Sequence, residues 1–361
     1  MKALLFILLW FQLPALAGND TLPGSGQIAV RAQYGFVIAH RPTVRHLQKK
    51  HVRGFEAELL LPTNGCDDWQ QPFLLPSYSL AYQYLDLGNP ELLGAGHALT
   101  ARMIFPLNEN KNVKTFLSAG CGVGYVEKPY DRFDNYKNVA IGSHINAVVG
   151  FSYRASFRTG KYSALDAGIS FTHFSNGSFR SPNLGINIPA AQIGYNRYFG
   201  KPMACKRYEI PGAEKKHIDK VIFAAGVKGL QSAHGLLMYG VSTLAVSRQF
   251  TLSHKSRLGG GVDVFYDRTL PWKLNGLYNE GLKESTAWRA GIHAGYELTA
   301  GRVIMLFQNG VYLLDNYDED GFIYTKIGVE YFITKNLLGC FHLKSHFAKA
   351  DFFEYGLGYQ F

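Results

Sequence analysis

The chain has 361 residues, with 37 Lys and Arg against 27 Asp and Glu and a formal net charge of +10. Past residue 17 it has no uninterrupted apolar stretch of the roughly 18 residues that a membrane-spanning helix needs, which excludes a helical membrane protein. The 14% aromatic residues, 39 glycines and recurrent apolar/polar alternation instead fit a closed antiparallel barrel, which pairs every backbone donor and acceptor between its strands.

In chain order, Lys2 is followed by an apolar run from Ala3 to Leu13 and then by Ala15-Leu16-Ala17. This pattern predicts a secretory signal peptide, residues 1–17, cut after Ala17. No cysteine follows the expected cleavage site, so the exported chain is not read as a lipoprotein.

Alternating segments bounded by turn residues follow at 27–39, 54–62, 78–88, 94–105, 114–127, 143–155, 161–174 and 188–199. A polar break at 200–220 separates them from further segments near 220–229, 237–249, 256–267, 286–298, 302–313, 323–333, 337–347 and 350–361. The fold class is therefore all-β, an outer-membrane β-barrel over 18–361 with roughly 12–16 strands in total. Two architectures are compatible with this: one large barrel, or an eight-stranded barrel over 27–199 with a second β unit over 200–361. The single barrel is favoured, because barrel assembly reads the C-terminus and the signal for it closes the second half. That signal is Phe353, Tyr355, Leu357, Tyr359 and Phe361 alternating with Glu354, Gly356, Gly358 and Gln360.

The four cysteines, Cys66, Cys121, Cys205 and Cys340, show no metal-type spacing. Cys66 and Cys205 lie in polar segments where a disulfide is conceivable, whereas Cys121 and Cys340 read as small strand residues. No nucleic-acid-binding motif is present, and the net positive charge is assigned to lipid headgroups. With both termini periplasmic, the first, third, fifth and seventh connections face outside the cell. The first holds Arg41, Arg45, Lys49, Lys50 and Arg53, cations suited to lipopolysaccharide phosphates.

The seventh connection begins in FTHFSNGSFRSPNLGIN, residues 171–187. Leu165, Ala167, Ile169 and Phe171 share the lipid-facing parity, and His173 and Ser175 continue it. In the next strand Asn187 falls into the same odd set as Pro189, Ala191 and Ile193. Residues two apart on a strand stand about 7 Å apart and can lean together, so an imidazole can serve a hydroxyl as base. Polar side chains at one level of a lipid-facing wall are costly away from the interface, and chemistry on a lipid accounts for them. Ser143 and His144 are adjacent, point to opposite faces and cannot form such a pair; His97, His144 and His293 are read as lumen or interface residues.

The segment HFSNGSFRSPNLG resembles the His-x-Ser-Asn, loop, Pro-Asn-x-Gly stretch of the outer-membrane lipid A 3-O-deacylases, also grouped with the acyloxyacyl hydrolases. The resemblance covers roughly 27–199. It implies a cofactor-independent serine hydrolase in an eight-stranded barrel that removes an ester-linked acyl chain from lipid A, with Ser175 as nucleophile and His173 as base. Lipid A or lipopolysaccharide would be the substrate, outer-membrane lipids the surroundings, and the barrel assembly machinery a partner during insertion. The family's orienting glutamate falls on Asn187. An amide fixes the imidazole tautomer but does not neutralise the imidazolium; in a serine protease, replacing the acid by the amide costs about ten-thousandfold. Asp166 has lumen parity, and Asp131, Asp134 and Glu127, in the fifth-to-sixth strand region, would have to approach over a neighbouring wall and are read as periplasmic-to-lumen or solvated-turn residues. Oxyanion donors are sought in the turn at Asn176-Gly177, with the Asn183 side chain in support. A non-enzymatic barrel, acting as a channel, a structural component or a lipopolysaccharide binder, is the competing class.

Overall fold

The computed structural model describes residues 18–22, 24–109, 112–177, 179–232, 235–278, 283–346 and 349–361. The expected signal peptide lies outside the described residues. In chain order the strands are β1 (Gly18–Leu22), β2 (Gly26–Gly35), β3 (Val52–Pro62), β4 (Ser77–Asp86), β5 (Ala95–Pro106), β6 (Val113–Val126), β7 (Ile145–Arg158), β8 (Ser163–Ser175) and β9 (Ile186–Phe199). They continue with β10 (Met203–Arg207), β11 (His217–Ser232), β12 (Gly235–Thr251), β13 (Ser256–Asp267), β14 (Trp288–Ala300), β15 (Val303–Leu314), β16 (Ile323–Phe332), β17 (Leu337–His346) and β18 (Lys349–Gln360), with a helix α1 (Leu270–Tyr278) between β13 and β14.

The favoured single large barrel is not what forms. β9 pairs back onto β2 and β18 onto β11, so β2–β9 and β11–β18 are two separate closed barrels of eight antiparallel strands. An eight-stranded barrel has an interior just wide enough for side chains to fill, and each half supplies its own filling. In the first barrel Arg31 Nη1 donates to Glu56 at 2.7 Å and to Glu58 at 2.6 Å, Arg31 Nε donates to Asp166 at 3.0 Å, and Arg102 reaches Glu56 at 2.8 Å. In the second barrel Lys220 lies between Glu297 and Glu330, and Lys326 between Asp263 and Glu354. One barrel of sixteen strands would leave these charges facing a wide lumen with partners too far apart to pair.

The outer walls carry the other parity. Ile28, Val30, Leu99, Phe151, Ile169 and Ile193 are exposed on the first barrel, and Phe223, Val246, Phe307, Phe341, Tyr355 and Leu357 on the second. Such continuous apolar surface suits lipid rather than water. Between the barrels, β10 pairs with β1 in a two-stranded sheet that docks under the first barrel, where Lys206 N–H donates to Asn64 O at 2.8 Å. Neither short strand was expected from the sequence. All four cysteines are free thiols, Cys66 exposed and Cys205 buried.

At the end of the first barrel opposite its termini, the lumen turns apolar. Val44 and Leu47 from the 36–51 connection plug it together with Leu85, Val126, Val148, Phe174 and Ile186. The 36–51, 87–94, 127–144 and 176–185 connections all emerge at this end. Arg41, Arg45, Lys49, Lys50 and Arg53 are exposed there, with Lys49 paired to Glu91 at 2.6 Å.

Candidate active site

The site is built where β8 ends and β9 begins. Phe174 is fully buried, and its ring fills the space that a side chain at Gly124 would need: a Cβ there would lie 2.6 Å from Phe174 Cε1. Ile186 and Ile188 anchor β9 in the same apolar core. With residues 174, 186 and 188 held inward, pleating turns His173 and Asn187 outward. They are direct cross-strand partners in the β8–β9 ladder.

His173 Nδ1 and Asn187 Oδ1 are 2.6 Å apart. An amide oxygen only accepts, so the imidazole donates from Nδ1, leaving its Nε2 lone pair as the available base. Asn187 thus meets the imidazole with an amide oxygen rather than a carboxylate.

Ser175 differs from the outward position expected for it: only 4% of it is exposed, because the 176–185 loop folds over it. Its Oγ accepts from Gly177 N–H at 3.2 Å and from Asn183 Nδ2 at 2.9 Å. These two donors occupy both hydroxyl lone pairs, so the remaining valence is the hydroxyl hydrogen itself. Among the described residues no hydrogen bond joins Ser175 to His173; in a resting site such bonds are commonly long and tighten when substrate binds.

The loop has its own clamp. Asn183 Oδ1 accepts from Asn176 N–H at 3.0 Å, so this backbone donor is already engaged and the Gly177 N–H is the one aimed at the serine. The Asn176 side chain donates to Arg180 O at 2.8 Å and to Ser143 Oγ at 2.9 Å. Gly185 N–H donates to Ala140 O at 2.8 Å, tying the loop to the neighbouring 127–144 connection. Gly177 has φ +60°, and a Cβ there would fall 2.0 Å from Cδ2 of Phe353, a residue of the second barrel. Gly185, at φ +81°, brings its backbone so near the catalytic candidate that a Cβ would lie 2.7 Å from His173 Cε1. Both positions require glycine.

Two contributors are not assigned to the site from sequence, where Ser143 is weighed only as a partner for His144. Ser143 supports Asn176, and His40, from the first connection, places Nδ1 3.2 Å from Asn187 Nδ2 and Nε2 3.0 Å from Leu184 O. Neither has a motif; only the meeting of three connections at one barrel end brings them in.

The carboxylates are elsewhere. Asp166 is in the lumen with Arg31 and Asn196. Asp131 accepts from the backbone N–H groups of Phe133 at 2.8 Å and Asp134 at 3.0 Å, and these donors hold its carboxyl below the usual range in an exposed turn. Glu127 accepts from Ala95 N–H at 2.8 Å. Among the described residues no carboxylate hydrogen-bonds to His173. Of the other histidines, His97 meets Tyr82 OH at 2.8 Å on the outer wall, His144 stacks on Tyr125, and His293 pairs with Asp263 inside the second barrel.

Comparison with known proteins gives the same two-part division. Residues 53–196 match the lipid A 3-O-deacylase (PagL) family, and residues 217–361 match the acyloxyacyl hydrolase C-terminal domain (PagL_C). Among solved structures, the chain is 19% identical to the outer membrane enzyme PagL over 47% of this chain and 99% of that one, with a TM-score of 0.31. It is 13% identical to Neisserial surface protein A over 50% of this chain and 99% of that one, with a TM-score of 0.33. A porin of Rhodopseudomonas blastica aligns at 9% identity over 93% of this chain and 100% of that one, with a TM-score of 0.18. The comparison with curated proteins gave no match. With a deacylase-family barrel followed by the C-terminal barrel that goes with it, the chain is an outer-membrane β-barrel protein of the lipid A 3-O-deacylase and acyloxyacyl hydrolase family.

Proposed function

We propose that this protein is an outer-membrane ester hydrolase that removes an acyl chain from lipid A at the extracellular end of the first barrel. The reading rests above all on the 2.6 Å contact between His173 Nδ1 and Asn187 Oδ1, which presents Nε2 as a base one strand step from Ser175. In the reaction, Ser175 Oγ attacks the ester carbonyl and gives its proton to His173 Nε2. One Oγ lone pair forms the new bond, and the Gly177 N–H and Asn183 Nδ2 donors that held Oγ at rest turn to the carbonyl oxygen as it becomes an oxyanion. The intermediate collapses, the sugar alkoxide leaves with the proton from His173, and water then releases the fatty acid by the same route. No cofactor is required. Exposed Arg41, Arg45, Lys50 and Arg53 at the same barrel end suit the phosphates of the substrate. Export by a signal peptide over 1–17 and insertion by the barrel assembly machinery belong to this reading.

The amide at 187 supports a second reading, a lipopolysaccharide-binding barrel without turnover, because the imidazolium formed during attack would have no neutralising carboxylate. A channel fits less well. In the second barrel the cavity among Lys220, His293, Lys326, Glu330 and His342 holds only about 10 Å³, and in the first a cavity of about 360 Å³ beside Arg154, Asp166 and Asn196 is closed at the opposite end by the apolar plug of Val44, Leu47 and Phe174. The deciding experiment offers lipid A to the purified protein. Fatty acid should be released by the wild type and not by Ser175→Ala; no release by the wild type, where a known deacylase works, would leave the binding reading.

A further inference from the structure

Asn187 has a second partner that ester hydrolysis as described does not use. Nε2 of His40 lies 3.0 Å from Leu184 O, and Nδ1 lies 3.2 Å from Asn187 Nδ2. A carbonyl oxygen only accepts, so the Leu184 contact puts the His40 proton on Nε2 and leaves Nδ1 as a lone pair. That lone pair accepts from Asn187 Nδ2, which turns Oδ1 toward His173; Oδ1 then accepts from His173 Nδ1–H at 2.6 Å. The alternative His40 contact, Nδ1 to Ile38 O, is longer at 3.3 Å and belongs to the other tautomer, in which Asn187 Nδ2 loses its acceptor.

An amide at this position needs such a partner where a carboxylate would not. A carboxylate shows an acceptor whichever way it is turned, whereas an amide has one end of each kind. Were Asn187 reversed, its NH₂ would face Nδ1 of His173, the proton would move to Nε2, and the base would be lost. We propose that His40 is a positioning residue for the hydrolytic site: it fixes the Asn187 amide, through it the His173 tautomer, and so lets asparagine stand where the family has glutamate. The chain starts at a backbone carbonyl, Leu184 O, and each link leaves one choice for the next. Aligned donors also polarise one another, which shifts electron density toward the imidazolium formed during attack. The inference rests on the hydrolase reading for its consequence, though not for its geometry.

The test uses the full-length protein in mixed micelles with lipid A. His40→Ala should lower kcat about tenfold and leave KM within about twofold, because His40 orients the base without touching the ester. His40→Gln, which keeps an acceptor, should recover most of the loss. In an Asn187→Asp background the carboxylate orients His173 unaided, so adding His40→Ala should change kcat less than about twofold. An unchanged kcat in His40→Ala alone, or equal losses in both backgrounds, would overturn the proposal. A second measurement does not depend on turnover: ¹⁵N NMR of histidine-labelled protein, with His173 assigned by the signal lost in His173→Gln. The His173 ring should have its proton on Nδ1 in the wild type and a tautomer mixture in His40→Ala. If no protein releases fatty acid, the hydrolase reading fails and the ring nitrogens still decide the role of His40; identical tautomers in the two proteins would refute it.

Discussion

Asn183 does two jobs with the two ends of one amide, and this makes it the most informative side chain of the site after the histidine and serine. Its Nδ2 donates to Ser175 Oγ at 2.9 Å while its Oδ1 accepts from Asn176 N–H at 3.0 Å. Asn183→Ala removes both, and losing one oxyanion donor costs about 10²–10³ in kcat. Asn183→Asp keeps the acceptor and removes the donor, so on this argument it should lose nearly as much activity while leaving the loop in place. Steady-state rates on lipid A for the two variants check this; full activity in Asn183→Asp would take the amide out of the oxyanion site. Asp131→Asn is the matched control, because the Asp131 carboxylate accepts from two backbone N–H groups of its own turn, which the amide oxygen can replace, and its rate should stay within about twofold of the wild type. At this scale the sequence showed His173, Ser175, Asn183 and Asn187 because they fall within one short stretch and share a parity or a motif. It did not show His40 or Ser143. Those are brought in from connections 147 and 33 residues away, by contacts that no local period encodes.

The elements explain how so small a site is held at a lipid-facing rim. β8 is pinned by Phe174, whose ring occupies the hollow left by Gly124, and the loop after it is pinned by Gly177 lying flat under Phe353. Gly177→Ala must place a side chain at φ +60°, about 1–2 kcal/mol for an L-residue, and drive its Cβ into the Phe353 ring. The loop would shift, carrying the Gly177 N–H away from Ser175. The expected result is at least a tenfold fall in kcat with an unfolding midpoint close to that of the wild type. Phe353→Ala in the same background should restore part of the activity by making room; no restoration would mean the backbone strain alone is responsible. Strands themselves were legible, because alternation of period two is a direct consequence of having one lipid face and one lumen face. All sixteen barrel strands lie where the alternation placed them, within a few residues at their ends. β1 and β10 were missed because five-residue strands in a polar segment have no second face to bury. Closure was misjudged for a related reason: alternation says which way a side chain points, not which strand the last one will pair with.

At the scale of the molecule, two barrels whose lumens hold buried charges are joined by an exposed linker over 209–216. The first barrel meets the second where Phe73, Met103 and Phe105 pack on Ala300, and again where Gly177 meets Phe353. What distinguishes this arrangement from a pore is the buried charge. Lys220 in the second barrel is almost fully buried between Glu297 and Glu330, with Glu330 at 2.7 Å, and His342 lies between Glu330 and Glu354 at 3.4 Å from each. Lys220→Met removes the cation and leaves two carboxylates in a space with no room for bulk water. Breaking a buried pair in this way costs about 3–5 kcal/mol, so the urea midpoint of the second barrel should fall clearly. Lys220→Met combined with Glu297→Leu and Glu330→Gln removes the stranded charges together with the lysine and should regain much of that loss. Planar-bilayer recordings supply the complementary measurement. The wild-type protein should give no steady conductance, since an apolar plug closes the first lumen and ion pairs close the second, and the triple variant should stay closed because its replacements fill comparable volume. Steady single-channel steps from the wild type would mean that the ion pairs part to admit ions, and the second barrel would then have to be read as a conducting element rather than as a wall beside the proposed hydrolytic site.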